Sequence, residues 1–228
     1  MTAPAHAQLA EAVHRPFAGG ELTHAEALEL LASPTLTPAL LAAAGALRDH
    51  HWGRTLTYSP KVFLPVTNLC RDRCTYCTFR KDPDDPDAWT MRPEEIHAWS
   101  SRGRRLGCTE ALMCLGDKPE LAFRGYRALL ESLGASSTVD YVHRACTIAL
   151  EAGLLPHTNA GILSRVDMVR LRPVNVSLGL MLENVSPRLR GRGEVHQWAP
   201  DKEPSVRLQM LREAGELAIP FTTGLLIG

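Results

Sequence analysis

The sequence predicts an α/β fold with a parallel sheet, arranged as a partial TIM-type (β/α) barrel. Two observations support this fold class. After Pro60, short apolar runs alternate with longer segments of helical pattern, which is typical of buried strands covered by helices. The alternation repeats at roughly forty residues per unit, which favours a barrel-like arrangement over a sandwich.

The part of the chain that precedes this alternation predicts a helical extension. Residues 1–20 are rich in alanine and end in Phe-Ala-Gly-Gly, so we expect a loose leader there. Thr23 is a suitable cap for a first helix, and Thr37-Pro38 predicts a second helix over 39–48 with proline in its first turn. We therefore expect two domains, an N-terminal helical extension at 1–54 and a core at 55–228.

The core contains five predicted strands and five predicted helices. Apolar runs predict strands at 62–66, 111–115, 155–159, 174–182 and 219–228. Periodicity and capping residues predict helices at 92–106, 120–133, 138–152, 164–171 and 204–215. Five strands cannot close a barrel, and the last would present a bare apolar edge. We therefore expect the natural protein to continue, so that this chain is truncated at its C-terminus.

Composition excludes several classes of partner. Lys plus Arg and Asp plus Glu number 25 each, so no net charge favours nucleic acid or an anionic membrane. The apolar stretches are too short to span a bilayer, and the first residues lack a secretory pattern. Six cysteines without a disulfide-like pattern fit a reducing compartment. We expect a cytoplasmic protein with no nucleic-acid or membrane partner.

Three closely spaced cysteines, Cys70, Cys74 and Cys77, are the strongest chemical signal in the chain. Three thiolates at this spacing can hold three irons of a 4Fe-4S cluster and leave the fourth iron open to a small molecule. A zinc site is one alternative, although a structural zinc site needs four ligands and no second cysteine pair follows. Ordinary core cysteines on one helix face are the other alternative. We read the remaining cysteines, Cys108, Cys114 and Cys146, as small buried apolar residues.

Polar residues follow the predicted strands at the points where ligands gather in such folds. Residues 69–79, which contain the three cysteines and which we call the cysteine loop, follow the first strand. Asp117, Asn159 and Glu183 end the second, third and fourth strands. Active sites of (β/α) barrels lie at the carboxyl ends of the strands. The pattern therefore places these residues and the cysteines in one site. Arg71, Arg73 and Arg80 either favour the thiolate form of the cysteines or are ordinary surface arginines.

The cysteine motif, Cys70-x3-Cys74-x-Tyr76-Cys77, resembles that of the radical S-adenosylmethionine (SAM) enzymes. Over about residues 55–228 the chain resembles one family among them, the 7,8-didemethyl-8-hydroxy-5-deazariboflavin (FO) synthases. The blocks that carry this second resemblance are Cys70-Arg-Asp-Arg-Cys-Thr-Tyr-Cys-Thr-Phe-Arg80, Cys114-Leu-Gly-Asp-Lys-Pro-Glu120, His143-Arg-Ala-Cys-Thr147, Pro156-His-Thr-Asn-Ala-Gly161, His196-Gln-Trp-Ala-Pro-Asp-Lys202 and Ile219-Pro-Phe-Thr-Thr-Gly224.

The resemblance implies a reaction, its cofactors and its partners. A 4Fe-4S cluster and SAM would generate a 5′-deoxyadenosyl radical. The substrate would be the adduct of a ribitylaminouracil with the 4-hydroxybenzyl part of tyrosine, 5-amino-5-(4-hydroxybenzyl)-6-(D-ribitylimino)-5,6-dihydrouracil, which cyclises to FO with loss of ammonia. The implied partners are a 4-hydroxybenzyl transferase, as a subunit or a fused domain, and a low-potential electron donor.

The resemblance also implies roles for single residues. Cys70, Cys74 and Cys77 would bind the cluster. Tyr76 would lie beside the SAM adenine, and Gly116 with Asp117 would take the place of a Gly-Gly-Glu element at the SAM amino group, with Asp in place of the longer Glu. The remaining candidates for SAM contact are Asn159, Glu183, Gly224 and Gly228. For the substrate we nominate His196 and Asp201 as catalytic residues, with Trp198 and Lys202 beside them.

Three other functions are compatible with the sequence. The chain could be the sister radical SAM enzyme, which transfers the 4-hydroxybenzyl group from tyrosine to the uracil. It could be a non-enzymatic zinc or iron–sulfur module such as an electron carrier, although a carrier would not need the polar residues at the strand ends. It could also be an inactive fragment that binds a cluster without turnover.

Overall fold

A computed structural model describes residues 3–227, with side chains described from Gln8 onward. The chain forms two compact units, Met1–Tyr58 and Ser59–Gly228. The prediction for Gly228 falls outside the described residues.

Over its described residues, the first unit contains three α-helices, α1 (Ala3–Ala12), α2 (His24–Leu31) and α3 (Thr37–Trp52). Thr23 caps α2 through a capping box with Glu26, as the sequence predicts. The loose leader predicted for residues 1–20 is wrong over the described part, because α1 and a 3-10 turn at Arg15–Ala18 occupy it. Alanine is the strongest helix former, and burial of Leu9 and Val13 against Leu30 stabilises the helix.

No single described helix is long and apolar enough to cross a bilayer. His24–Leu31 and Pro34–Trp52 have the length and composition of a membrane span only when taken together, and the pair is bent by 92°.

The second unit contains a five-stranded parallel sheet in the order β1-β2-β3-β4-β5. The strands are β1 (Lys61–Thr67), β2 (Glu110–Leu115), β3 (Leu155–Asn159), β4 (Ser177–Gly179) and β5 (Phe221–Thr222). Because the order follows the chain, each crossover returns to the neighbouring position, as in a (β/α) barrel. The predicted α/β fold with a parallel sheet is therefore confirmed.

Between residues 59 and 227 this unit contains six α-helices. They are α4 (Pro93–Arg105), α5 (Pro119–Ala122), α6 (Arg124–Ser132), α7 (Thr138–Glu151), α8 (Arg165–Leu171) and α9 (Pro204–Glu216). The helix predicted over 120–133 is broken at Phe123, whose backbone is extended. Ser164 caps α8 through a capping box with Asp167, as its position predicts.

The last two strands are shorter than predicted. The apolar run 174–182 pairs as a strand only over Ser177–Gly179, and the run 219–228 only over Phe221–Thr222. Pro173 lies in a 3-10 turn, Arg172–Val174, at the start of the first run. Leu180 is fully buried although it lies outside the strand. An apolar run therefore marks burial here, and it does not fix the length of the hydrogen-bonded ladder.

Strand β2 shows how the sheet separates its two faces. Ala111, Met113 and Leu115 are buried in the core, while the alternate residues, among them Cys114, are half-buried. Side chains alternate between the faces of a strand, so Cys114 lies on the face opposite this core. The carboxyl ends of the strands on that face carry the candidate site.

Candidate functional site

Asn68 organises the base of the cysteine loop, just after β1. Its side chain donates to the carbonyl of Asp87 at 2.8 Å and accepts from the amide of Trp89 at 2.8 Å. Its backbone carbonyl accepts from the amide of Lys81 at 2.8 Å. Asn68 therefore ties the loop that contains the cysteines to two later parts of the segment 68–89, which contains no helix of its own.

The end of β2 touches the cysteine loop at Gly116. A Cβ at this position would lie 1.9 Å from the carbonyl oxygen of Leu69 and 2.6 Å from Cβ of Cys70. The amide of the next residue, Asp117, donates to Sγ of Cys70 at 3.1 Å. Only glycine permits this approach, so Gly116 fixes the distance between the first cysteine and the end of β2.

The three cysteines line one cavity of about 220 Å³. Burial raises the pKa of the Cys70 thiol to about 12, in spite of the hydrogen bond from Asp117, and burial also raises the pKa of Cys74. Without a metal, the Cys70 and Cys74 thiols are therefore protonated at neutral pH, and a metal would displace their protons on binding. The set of soft sulfur donors fits an iron–sulfur cluster.

The remaining lining residues come from the ends of all four longer strands and the segments that follow them. They are Asp72, Tyr76, Phe79, Arg80, Cys114, Leu115, Gly116, Asp117, Asn159, Gly161, Met181, Glu183, Lys202 and Arg207. The structure thus brings together eight of the predicted site residues: Cys70, Cys74, Cys77, Tyr76, Gly116, Asp117, Asn159 and Glu183. Cys114, which we expected to be a buried apolar residue, is half-buried and lines the same cavity.

Asp117 is a buried carboxylate with a free acceptor. Its side chain is 6% exposed, and Oδ2 accepts from the amide of Ile162 at 3.1 Å. Oδ1 is buried and has no hydrogen-bond partner among the described residues. Burial first, and then the charge of Asp201, raise the pKa of Asp117 to about 7. A buried unpaired acceptor is costly, so this atom is suited to a cationic ligand in the cavity.

Carboxylates of Asp72, Asp117 and Asp201 offer oxygens within 4.8 Å of one another. Two cations offset this charge, since Nε of Arg71 lies 3.0 Å and Nζ of Lys118 lies 3.8 Å from the carboxylate of Asp201. Arg73 and Arg80 pair instead with Asp82. All three arginines near the cysteines therefore have acidic partners, and only Arg80 lines the cavity.

Glu183 and Lys202 form an ion pair in the lining of the cavity. Nζ of Lys202 lies 2.5 Å from Oε1 of Glu183, and both side chains are 14% exposed. Glu183 has a φ of +65°, a left-handed conformation that is unfavourable for a residue with a Cβ. The backbone there is held by a hydrogen bond from the Glu183 amide to the carbonyl of Gly224 at 3.1 Å.

Arg207 is a residue that sequence reasoning missed. It lies on α9 and is 3% exposed, yet it lines the cavity. Its guanidinium donates from Nε to the carbonyl of Met181 at 3.0 Å and from Nη1 to the carbonyl of Asp201 at 2.9 Å. The only signal in the sequence was an arginine among apolar residues of a helix, which is also typical of a surface position. Gly161 was missed as well; it lies directly against the carboxylate of Asp117, where a side chain would not fit.

His196 and Asp201, the predicted catalytic residues, do not line the cavity. His196 is 3% exposed, and its Nε2 lies 2.8 Å from the hydroxyl of Tyr76. Burial and the charge of Lys202 lower the pKa of His196. Gly224 also does not line the cavity. A Cβ added to Gly224 would lie 2.9 Å from Sδ of Met181. The nominated Trp198 is largely exposed, whereas Lys202 lines the cavity.

Comparison with known proteins gives one family match and several close relatives. The sequence profile of the radical SAM superfamily matches residues 64–228. The 7,8-didemethyl-8-hydroxy-5-deazariboflavin synthase of Methanococcoides burtonii is 49% identical over 173 residues, which are 76% of this chain and 51% of that protein. The enzyme of the same name from Methanosarcina mazei is 48% identical over 173 residues, with 76% and 50% covered.

A longer relative and a solved structure complete the comparison. The FO synthase of Mycobacterium tuberculosis is 49% identical over 179 residues, which are 76% of this chain and 21% of that protein. The chain thus spans about half the length of the first two relatives and about a fifth of this one. The FeFe-hydrogenase maturase HydG from Carboxydothermus hydrogenoformans superposes with a TM-score of 0.73 at 20% identity, over 97% of this chain and 49% of that one. This likeness shows a shared fold.

Proposed function

The chain belongs to the radical SAM superfamily, and from this premise we propose that it catalyses the radical cyclisation that forms the deazaflavin FO. Superfamily membership implies a 4Fe-4S cluster and SAM as cofactors. The observation that supports the proposal most is the cavity that joins Cys70, Cys74 and Cys77 to the polar ends of the strands. The identity of 47–49% to relatives named for FO synthesis supports this substrate class.

The cysteines fit the cluster, and the charged residues of the same cavity fit the amino-acid part of SAM. Cys70, Cys74 and Cys77 would hold the cluster. The unpaired Oδ1 of Asp117 would accept from the SAM ammonium group, and its shorter side chain is compensated by its burial against Gly161. When bound, the cluster and SAM supply a 5′-deoxyadenosyl radical that removes a hydrogen atom from the substrate.

Two cations in the cavity would bind the SAM carboxylate. Lys202 and Arg207 both line the cavity, and both are held by protein oxygens on one side. Their charges need little reorganisation, which makes them suitable partners for a ligand anion. Glu183, which pairs with Lys202, would then be the acceptor for a ligand hydroxyl or amine near this end.

Tyr76 and Asn159 complete the proposed cofactor site. Tyr76 is 40% exposed, and its hydroxyl is fixed by His196, so its ring can pack against the adenine without rotating. Asn159 ends β3 and offers an amide to the same cavity. The substrate adduct would bind above this layer, where its reacting carbon must lie close to the SAM sugar and away from water.

The partners that we propose follow from the same reaction. A 4-hydroxybenzyl transferase, as a subunit or a fused domain, would supply the adduct, and a low-potential donor would supply the electron that reduces the cluster. The substrate residues stay predictions, with Trp198 as an exposed aromatic near the cysteine loop and Lys202 within the cavity.

The first test is anaerobic reconstitution with iron and sulfide, followed by EPR of the reduced protein with and without SAM. We expect a 4Fe-4S signal whose g-values change on addition of SAM. The protein is then incubated with SAM, reductant and either the tyrosine–uracil adduct or tyrosine plus ribitylaminouracil. Formation of FO and 5′-deoxyadenosine from the adduct alone supports the proposal. Turnover of tyrosine instead would assign the transferase reaction, and a cluster that ignores SAM would overturn both assignments.

A further inference from the structure

The segment at residues 195–201, which we call the clamp segment, runs beside the cysteine loop and pairs with its backbone. The amide of Arg73 donates to the carbonyl of Trp198 at 2.8 Å, and the amide of Thr75 donates to the carbonyl of Val195 at 3.1 Å. The first of these forms an antiparallel bridge. Both donors lie between the first and the last cysteine of the motif, on either side of Cys74.

Side chains at both ends of the clamp segment add to this pairing. His196 makes the 2.8 Å contact between Nε2 and the hydroxyl of Tyr76. Asp201 binds Arg71 through its carboxylate at 3.0 Å, and its amide donates to Oδ1 of Asp72 at 3.0 Å. Every residue of the cysteine loop from 71 to 76, apart from Cys74, thus has a direct contact with the clamp segment.

The clamp segment is itself anchored in the protein. The amide of His196 donates to the carbonyl of Leu189 at 2.8 Å, and buried Arg207 donates to the carbonyl of Asp201 at 2.9 Å. His196 and Arg207 are each 3% exposed. A loop without regular secondary structure depends on such outside contacts to hold one conformation, because its own backbone supplies few hydrogen bonds.

We propose that the clamp segment positions the cysteine loop for the iron–sulfur cluster, with Asp201 and His196 as its positioning residues. This inference rests on the proposed function, since it assumes that the loop holds a cluster. Neither side chain lines the cavity, and both are already engaged by residues of the cysteine loop. These contacts explain why His196 and Asp201 lie against the cysteine loop although neither of them lines the cavity.

The test measures how fast the reconstituted protein loses iron to a chelator, under anaerobic conditions and without substrate. We expect Asp201→Ala and His196→Phe to lose iron about tenfold faster than the wild type, because partners behind metal ligands typically control affinity to that extent. Asp201→Asn keeps an acceptor for Arg71 and should recover part of the loss. Asp84→Ala is the matched control, since Asp84 is an exposed carboxylate just beyond the cysteines without a described hydrogen bond.

A second set of measurements separates positioning from general destabilisation. Tyr76→Phe removes only the hydroxyl that His196 contacts, so it should speed iron loss. The melting temperature of the cluster-free Tyr76→Phe protein should equal that of the Asp84→Ala control. The EPR signal of the reduced cluster should also broaden in these variants, and its response to SAM should weaken.

The outcomes distinguish this inference from the proposed function. Wild-type rates of iron loss in Asp201→Ala, His196→Phe and Tyr76→Phe, with normal cluster uptake, would overturn the clamp and leave the function untouched. Faster loss in a protein that makes no FO would support the clamp and count against the reaction. A wild-type protein that takes up no cluster would overturn both.

Discussion

The carboxylate of Asp117 lies so close to Gly161 that a Cβ built on the glycine would be 2.2 Å from Cγ of Asp117. Gly161 also has a φ of +70°, where other residues are strained. The loop after β3 thus packs against Asp117, which lines the cavity and whose Oδ1 has no hydrogen-bond partner among the described residues. The glycine in the loop after β3 therefore fixes the orientation of the Asp117 carboxylate at the end of the neighbouring strand, β2.

Substitution of Gly161→Ala should therefore displace Asp117 and weaken SAM binding. We expect the Kd for SAM to rise by about tenfold or more, which corresponds to loss of one charged hydrogen bond. Equilibrium binding to the reconstituted protein measures it. Gly107→Ala is the matched control, because Gly107 has a φ of +86° and nothing within 4 Å of its Cβ position. Equal SAM affinities for the two variants would contradict the proposed role of the contact.

A second prediction concerns the contact between β2 and the cysteine loop. Gly116→Ala would place a methyl group 1.9 Å from the carbonyl oxygen of Leu69, so the loop has to move away from Asp117. We expect less iron bound per chain after reconstitution and loss of the EPR signal that responds to SAM. Gly125→Ala on α6, where nothing lies within 4 Å, should bind iron as the wild type does. Full iron content in Gly116→Ala would show that the loop tolerates the shift.

The Glu183–Lys202 pair leads to a third prediction. Lys202→Met removes the cation and leaves the carboxylate of Glu183 almost buried and unpaired. SAM affinity should fall by about tenfold, because the ligand carboxylate loses a charged partner. Lys81→Met, at a lysine whose Nζ lies 3.6 Å from the exposed carboxylate of Asp87, serves as the control. If Lys202→Met binds SAM as tightly as this control, then Arg207 alone is sufficient.

The fourth prediction is a pH dependence of stability that arises from His157. This side chain is buried, with Nδ1 2.6 Å from the hydroxyl of Ser177, and burial followed by the charge of Lys61 lowers its pKa. An unfolded histidine takes up a proton near pH 6.5, whereas the folded one resists it. The unfolded state therefore binds more protons as the pH falls, and the stability that is present above pH 6.5 is lost below it.

Urea unfolding between pH 8 and pH 5 measures this effect. The free energy of unfolding of the wild type should fall with acidification more steeply than that of His157→Gln. His97→Gln, at an exposed histidine of α4, should follow the wild-type curve. Parallel curves for the wild type and His157→Gln would exclude His157 as the cause.

The strands and most of the site could be predicted because one simple rule connects them. In a parallel sheet the polar residue after each apolar run lies at the same edge, which is how Asp117, Asn159 and Glu183 came together with the cysteines. The lengths of β4 and β5 could not be predicted in this way, because an apolar residue such as Leu180 is buried although it lies outside the strand.

Arg207 and the clamp segment were beyond sequence reasoning for a different reason. Arg207 can be buried because the carbonyls of Met181 and Asp201 accept hydrogen bonds from its guanidinium group. The sequence pattern of a helix does not reveal which distant carbonyls are available to accept them. The contact between His196 and Tyr76 likewise joins residues 120 positions apart. The polar residues of the block 196–202 could be recognised in the sequence, but only the structure shows that His196 and Asp201 contact the cysteine loop and do not line the cavity.

The pairing of Arg73 with Trp198 and of Thr75 with Val195 uses main-chain atoms alone. This pairing therefore does not depend on which side chains stand at the four positions, so long as the path of the chain is kept. Proline is the exception at 73 and 75, since it has no amide hydrogen to donate. Proline at either position should therefore remove one of the two backbone hydrogen bonds that hold the cysteine loop against the clamp segment, whereas any other residue retains the amide that donates it.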